Sequence, residues 1–569
     1  MNWKDKYNQW IDYPQLDKSL RDKLALMTPN EIEEAFYTDL EFGTGGMRGE
    51  IGPGTNRMNI YTIRKANIGF ARFLLANYID AKTRGVVIAY DNRHYSYIFA
   101  LESAKVLGTL GIKTHLFDHL RPTPELSFAV RHLKACGGIV ITASHNPPQY
   151  NGYKIYDEDG CQLLPELANQ VIENIKAIDN IFSFEVMEEE DLRSKGIILT
   201  VGKEIDDIYI EKVKSVQVYP ELDKTNIRIV FTPLHGTSHT LALRLLSECG
   251  YKCVFPVEEQ CVPDANFATV KSPNPENESA FELAINLGKE KGADILLATD
   301  PDADRVGLAV RVEDDYQLLT GNQTGAILLY YLLSEKKKQN TLPKNGIVYN
   351  TIVTSDLGAN IVKSFGLEVE STLTGFKYIG NKAKEIENTD KKFFFGYEES
   401  YGYLISDFVR DKDSLQALLI CCEAAAFYKK QNKTLVDVLN KIYEEYGYYS
   451  ESLINISLTG IIGQKKINQI LADFRFNLPH KIGQYEVVSI EDYLISKRFI
   501  DSSEENLTLP KSDVLKFFLV DKSWFALRPS GTEPKLKVYI NVIGTDYKDA
   551  NKKIQDIKQY LLQRIEALS

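Results

Sequence analysis

Three aspartates stand at alternate positions in Thr299-Asp300-Pro301-Asp302-Ala303-Asp304-Arg305, directly after the apolar run Ile295-Leu296-Leu297-Ala298. Carboxylates spaced by two along an extended loop can converge on one hard cation from one side, and without a cation their charges repel. A divalent ion resolves the repulsion. Magnesium suits the set, because it accepts few carboxylates and completes its shell with phosphate oxygens. The competing description is a solvated acidic turn, which the hydrophobic strand feeding straight into the triplet disfavours. The loop has neither the glycine nor the twelfth-position glutamate of an EF-hand.

A candidate nucleophile stands elsewhere in the chain. Gly137-Gly138-Ile139-Val140-Ile141-Thr142 reads as a buried strand, and the Ala143-Ser144-His145-Asn146-Pro147-Pro148 that follows continues neither sheet nor helix because of its prolines. Ser144 therefore belongs on a loop at the C-terminal end of a strand, where α/β sheets gather ligands. Taken alone, it fits a nucleophile and a capping serine in a turn about equally.

Three more loops carry groups suited to phosphate or hydroxyls. Phe42-Gly43-Thr44-Gly45-Gly46-Met47-Arg48-Gly49 offers exposed backbone N–H groups and one fixed cation, Arg48. Its glycines superficially resemble a dinucleotide fingerprint, but no strand is expected to run straight into it and no helix is signalled after it. Gly396-Tyr397-Glu398-Glu399-Ser400-Tyr401-Gly402-Tyr403 follows Phe393-Phe394-Phe395 and presents a carboxylate and a hydroxyl, Glu398 and Ser400, suited to two sugar hydroxyls. A tyrosine-rich turn is the alternative there. Arg528-Pro529-Ser530-Gly531-Thr532-Glu533-Pro534-Lys535 packs an arginine, two hydroxyls, a glycine turn and a lysine into one short stretch, a good phosphate cradle.

The elements that must hold these loops recur three times as apolar strand, polar loop, amphipathic helix, glycine and second strand. The first copy runs 86–89, Asp91-Asn92-Arg93, a helix over 98–109, Gly111 and 113–117. The second runs 227–231, Pro233-Leu234-His235-Gly236-Thr237, a helix through Leu245, Gly250 and 252–255. The third runs 347–349, a loop, a helix over 357–364, Gly366 and 367–369. Strand, helix and strand in about 30 residues is the βαβ unit, so parallel or mixed sheets covered by helices follow. The last region differs, with alternating strands such as 517–520 and 536–540 before a helix over 547–568. The expected fold class is α/β: three related mixed α/β domains with parallel βαβ units plus a C-terminal α+β domain, bounded at 1–200, 201–318, 319–455 and 456–569.

Bulk properties agree. At 569 residues the chain is too long for one core, and about 150 residues per domain suggests roughly four. A net charge of -11 argues against a nucleic-acid surface. The cysteines, 7 in all, are scattered and form no CxxC pair, which suits reduced thiols better than disulfides or a zinc cluster. His115 with His119, and His235 with His239, have HxxxH spacing but lack the intervening glutamate and third ligand of a metal site. The longest apolar spans, 326–333 and 415–426, fall far short of the roughly 20 residues that cross a bilayer. The opening residues mix charges and aromatics where a signal peptide needs an apolar stretch, so a soluble, cytoplasmic protein with no nucleic-acid or membrane partner is expected.

These motifs, in this order over about residues 40–545, resemble those of the α-D-phosphohexomutases, whose members include phosphoglucomutase, phosphomannomutase, phosphopentomutase and phosphoglucosamine mutase. The resemblance implies four domains around a central cleft. It implies that Ser144 is the phosphoserine of an active enzyme, and that Asp300, Asp302 and Asp304 hold one Mg²⁺ per chain together with an oxygen of the Ser144 phosphate. Lys154, in Asn151-Gly152-Tyr153-Lys154-Ile155-Tyr156, matches the family's proposed general acid/base, while His145, Arg48 and Arg305 would line the transfer site. Glu398 and Ser400 match the sugar-binding loop. Thr374, Gly375 and Lys377 match the loop that helps choose the sugar's orientation, and Lys412, in Asp411-Lys412-Asp413, a further cleft residue. Arg528, Ser530, Gly531 and Thr532 match the loop for the non-reacting phosphate.

The implied mechanism has two half-reactions. Phospho-Ser144 gives its group to a free sugar hydroxyl, the bisphosphorylated sugar turns over, and the other phosphate returns to Ser144, with a sugar 1,6-bisphosphate as activator and primer. The sugar and orientation loops lack the histidines of many bacterial phosphomannomutases, which favours the branch of phosphoglucomutases and phosphopentomutases. Interconversion of glucose 1-phosphate and glucose 6-phosphate is the leading expectation, and a phosphopentomutase or phosphomannomutase with the same mechanism the alternative. A metal-dependent phosphatase or a silent binding relative is disfavoured by the Arg528 loop and by intact Ser144, Lys154 and aspartates. The expected partner is a small phosphosugar, and the expected assembly a monomer or small homo-oligomer.

Overall fold

Val86–Tyr90 and Gly137–Ile141 are buried at every position, as parallel strands with helices on both faces require. They lie inside a seven-stranded sheet ordered Phe42–Gly43, Gly46–Glu50, Tyr150–Tyr156, Gly137–Ile141, Val86–Tyr90, Thr114–Phe117, Ile198–Val201. The last four strands are parallel to one another, and the first four pair antiparallel. Helix Ser96–Thr109 connects Val86–Tyr90 to Thr114–Phe117, which is the first βαβ unit expected from sequence. The computed structural model describes residues 2–43, 46–458, 460–500, 503–530 and 535–568. They divide into a first unit of Met1–Thr324, Asn345–Ile347 and Phe376–Leu435 and a second of Gly325–Lys344, Val348–Gly375 and Val436–Ser569.

The first unit holds a second sheet, ordered Asp315–Leu318, Val306–Val312, Ile295–Thr299, Arg228–Thr232, Cys253–Pro256, with the last three strands parallel. Its hairpin Ile295–Thr299 to Val306–Val312 turns through the acidic triplet. Helix Ser414–Lys429 packs against both hairpin strands and is buried along nearly its whole length, so the apolar run inside it is core. No helix among the described residues is long and apolar enough to cross a membrane.

Two features depart from the sequence reading. The glycine-rich segment is itself part of the sheet, since Phe42–Gly43 pairs antiparallel with Gly46–Glu50, and among the described residues no strand runs into it from before Phe42. Gly46 makes that geometry possible: its φ is 95°, and a Cβ there would meet Tyr153 O at 2.2 Å. Ahead of the hairpin run three helices, Trp3–Ile11, Lys18–Leu26 and Pro29–Phe36, started by side-chain caps from Asn2, Asp17 and Thr28. Trp10, Phe36 and Tyr61 pack edge-to-face and fasten this segment to the rest of the unit.

The second unit contains an antiparallel sheet ordered Tyr448–Ser457, Lys535–Gly544, Trp524–Pro529, Leu515–Leu519, Tyr485–Asp492, Lys497–Ile500, Ser503–Asn506, with Lys481–Ile482 paired to Tyr485–Asp492. Ile554, Ile557, Leu561 and Ile565 of helix Tyr547–Leu568 supply the apolar stripe that packs on it. In the same unit Trp524 Nε1 donates to Asp356 at 2.9 Å, and the buried Lys516 donates to Ile352 O at 2.7 Å. Asp356–Ser364 and Glu368–Thr372 are the helix and second strand of the third βαβ pattern.

Candidate active site

Strand Gly137–Ile141 delivers the chain to Thr142, where the prolines at 147 and 148 prevent further pairing. Ser144 has φ 49°, a left-handed conformation that costs a non-glycine residue about 1–3 kcal/mol and needs support from its surroundings. Thr142 Oγ1 accepts the Ser144 N–H at 2.8 Å. The buried Arg93 donates to the carbonyls of Ser144, Asn146, Pro147 and Tyr150 around the same turn. So held, Ser144 Oγ donates to Asp300 Oδ2 at 2.6 Å and lies 3.2 Å from His145 Nδ1.

Strand register brings two cations beside it. Lys154 pairs with Val140 across one strand boundary, and Arg48 pairs with Gly152 across the next. Arg48 Nη1 donates to Asn146 Oδ1 at 2.9 Å and so ties its hairpin to the serine loop.

The acidic triplet is not the extended run its spacing suggests. Ala303 has φ 56° and donates its N–H to Asp300 O at 2.9 Å, so the loop folds into a tight turn that gathers the side chains. Its three outward carbonyls are each held by a different segment. Pro301 O accepts from Thr237 N at 2.8 Å, Asp302 O from Thr123 N at 2.9 Å, and Ala303 O from Ser414 Oγ at 2.6 Å. Ligand atoms of Asp300, Asp302 and Asp304 then lie within 4.8 Å of one another, and all three residues are buried. Asp302 Oδ2 accepts from Lys154 Nζ at 2.9 Å and Thr123 Oγ1 at 3.0 Å, while Lys412 Nζ sits 3.0 Å from Asp304 Oδ2. Arg305 pairs with Glu276 and reaches Asp304 Oδ1 at 3.7 Å.

Asp302 Oδ1 and Asp304 Oδ1 are buried and accept no hydrogen bond from the described residues. Orphaned carboxylate oxygens in an all-oxygen donor set fit a hard divalent cation, which satisfies them and cancels their charge. The electrostatics point the same way. Burial, then the charges of Asp302 and Asp304, push the Asp300 carboxyl well above its ordinary range. Burial opposes the charged form of Asp302 as well, but the Lys154 cation and hydrogen bonds from Asp300 and Lys154 outweigh it and hold that carboxyl low. Burial works against the cations of Lys154 and Lys412 too, yet the neighbouring carboxylates hold both above the usual lysine range.

Four family models cover most of the chain: the phosphoglucomutase/phosphomannomutase alpha/beta/alpha domains I, II and III at residues 39–182, 207–313 and 320–446, and the C-terminal domain at 454–557. The chain belongs to the phosphoglucomutase/phosphomannomutase family. It is 37% identical to a phosphoglucomutase of Staphylococcus haemolyticus, over 97% of this chain and 99% of that one, and 38% identical to one of Staphylococcus aureus, over 92% and 93%. The open form of parafusin, a phosphoglucomutase of Paramecium, shares the fold at a TM-score of 0.69 with 18% identity, over 94% of this chain and 96% of that one.

Other motif positions of this phosphoglucomutase/phosphomannomutase chain fall in both units. In the first, Glu398 is buried at the end of strand Lys392–Glu398, and its charge acts on Arg305 and Lys412. Ser400 is half-buried in the turn after that strand. Lys377 is buried at the start of helix Phe376–Ile386, next to Phe376, whose ring lies 5.4 Å from Lys412 Nζ. In the second unit, Thr374 and Gly375 follow strand Glu368–Thr372; Gly375 has φ 121°, and the buried Thr374 Oγ1 has no hydrogen-bond partner among the described residues. Arg528 is half-buried on strand Trp524–Pro529, and Ser530 N donates to Lys535 O at 2.8 Å. Gly531 and Thr532 lie outside the described residues.

Thr123, Arg93 and Glu276 are not among the residues the sequence marks as site candidates, although Arg93 stands in the polar loop of the first repeat. Thr123 had a faint signal, a helix start in Arg121-Pro122-Thr123-Pro124, and Arg93 another, at the carboxyl end of the first parallel strand. Glu276 had none.

Proposed function

We propose that this phosphohexomutase-family enzyme interconverts glucose 1-phosphate and glucose 6-phosphate, with Ser144 as the phosphoryl carrier. The observation that carries the reading is the 2.6 Å hydrogen bond from Ser144 Oγ to Asp300, which joins the serine loop to the acidic triplet. In the first half-reaction the P–O bond to Ser144 Oγ breaks as one to the sugar hydroxyl forms, and the hydroxyl proton ends on the freed Ser144 Oγ. In the second, Ser144 Oγ takes the other phosphate of the bisphosphorylated sugar, and the Oγ proton goes to the sugar oxygen whose P–O bond breaks. Lys154 Nζ, fixed on Asp302 at 2.9 Å, is the group assigned to carry that proton. Arg48, His145 and Arg305 are assigned to the phosphoryl oxygens, where oriented donors and fixed charge stabilise the transfer. When bound on Asp300, Asp302 and Asp304, Mg²⁺ would supply charge withdrawal from the phosphoryl group.

Glu398 and Ser400 are assigned to sugar hydroxyls, Thr374, Gly375, Lys377 and Lys412 to sugar and phosphate recognition, and Arg528, Ser530, Gly531 and Thr532 to the phosphate not being transferred. We infer a sugar 1,6-bisphosphate as primer, domain bounds of 1–200, 201–318, 319–455 and 456–569, a cytoplasmic location, and a monomer or small homo-oligomer. Glucose rests on the names of the relatives and on a sugar loop without histidine. The test is a panel of glucose, mannose, ribose and N-acetylglucosamine 1-phosphates, with and without bisphosphate, on wild type and Ser144→Ala. Fastest turnover of glucose 1-phosphate, abolished in Ser144→Ala, is expected. Undiminished transfer in a folded Ser144→Ala protein would sink the assignment.

A further inference from the structure

Arg93 lies outside every motif assigned above, yet all five of its N–H donors face into the serine loop or its support. The side chain is wholly buried. Nη1 donates to Pro147 O at 2.9 Å and Tyr150 O at 3.1 Å; Nη2 donates to Ser144 O and Asn146 O; Nε faces Asp91 Oδ2 at 3.4 Å. Asp91 is itself oriented, its Oδ1 accepting from Arg93 N at 2.9 Å and Ser96 Oγ at 2.6 Å. The Phe267 ring lies 5.0 Å from the guanidinium carbon and keeps water from that side.

Four carbonyls converging on one point would repel one another and, buried, would cost free energy if left unpaired. The two prolines of the turn have no N–H to offer. A planar fork of donors meets this demand, and a lysine, a point charge with three donors, does not. We infer that Arg93 is a positioning residue for phosphoryl transfer: by gathering these carbonyls it holds Ser144 in its left-handed conformation, with Oγ aimed at Asp300. The inference rests on reading Ser144 as the phosphoryl carrier, and it assigns Arg93 no contact with substrate.

The experiment compares wild type, Arg93→Lys, Arg93→Ala and Ser144→Ala. A misplacement of the reacting group by about 1 Å costs about 100-fold in rate, so Arg93→Lys should lose about that much in kcat while KM for glucose 1-phosphate stays within about twofold. Added guanidinium ion at non-denaturing concentration should restore part of the Arg93→Ala rate and none of the Ser144→Ala rate. Amide hydrogen exchange over residues 143–150, read without reference to activity, should quicken in Arg93→Lys. Asp91→Asn, which loosens the same fork, covers the case in which Arg93→Ala does not fold, and should lose kcat at unchanged KM. Wild-type kcat in Arg93→Lys, a KM that rises as far as kcat falls, or unchanged exchange overturns the inference. Quickened exchange with a wild type that lacks mutase activity instead refutes the reading of Ser144 and leaves the clamp standing.

Discussion

Replacing Gly236 by alanine should disable the acidic loop without touching a carboxylate. An added Cβ at this position meets Pro301 Cα at 2.4 Å, Pro301 O at 2.6 Å and Pro301 C at 2.8 Å, all of them backbone atoms that cannot rotate away. Its φ lies outside the left-handed region, so alanine suffers no backbone strain there and the effect is purely one of space. Carbon atoms rest about 3.5–4.0 Å apart, so the two loops must separate by about 1 Å. Pro301 stands between Asp300 and Asp302, and the shift passes directly to both. Overpacking of this kind costs about 1–3 kcal/mol of stability, and a 1 Å displacement of catalytic groups costs about 100-fold in rate. Purified Gly236→Ala should therefore remain folded at ambient temperature, with kcat lowered about 100-fold and more Mg²⁺ needed for half-maximal activity. Gly52→Ala serves as control, since its added carbon lies 3.9 Å from Arg57 Cγ, an ordinary contact. A Gly236→Ala enzyme with wild-type rate and wild-type Mg²⁺ dependence would refute the steric reasoning.

Chelation should abolish transfer and added Mg²⁺ restore it, with an unfolding midpoint that climbs with Mg²⁺, equivalent to about 2.7 kcal/mol at a hundredfold excess over Kd. Identical melting curves with chelator and with Mg²⁺ would contradict a metal at the triplet. Asp413, between two residues that contact the acidic turn, offers a pH test. Burial pushes its carboxyl up from 3.8 to about 6 while it caps helix Ser414–Lys429. The folded state thus binds the proton more tightly, and its contribution is fully present below pH 3.8 and lost as pH rises through 6, a change of about 3 kcal/mol at 1.36 kcal/mol per pH unit. Asp413→Asn lacks this proton, so its melting temperature should gain on wild type between about pH 4 and 6.5. A gap that stays constant across that range rejects the idea.

Ser144 and the aspartates were legible because their signals are local: an apolar strand, then residues that no strand tolerates. The βαβ repeats were legible for the same reason. What sequence could not give is the company these residues keep. Thr123 bonds Asp302 from 179 residues away, and nothing in its neighbourhood announces that partner. The turn at Ala303 is hidden in the sequence because alanine rarely adopts a positive φ, and it is the three carbonyl contacts around the loop that hold it there. Helix Ser414–Lys429 showed no amphipathic pattern because its burial is nearly complete, and a pattern arises only where one face meets water. The caps of Asn2 and Thr28 are present in the sequence, but the short helices they start lie outside the repeat and carry no periodicity to mark them.

The three carbonyls of the acidic turn, tied to Thr237, Thr123 and Ser414, bear on how this enzyme could be recombined with its relatives. The triplet is contiguous in the chain and looks transplantable, but only Thr237 would travel with a cassette cut from the second α/β region. A chimera would have to inherit the segments around 123 and 414 from the same parent, or the turn would arrive with its acids and without its curvature. Exchange by homologous blocks is therefore constrained at residues 123 and 414 as well as at the acids themselves.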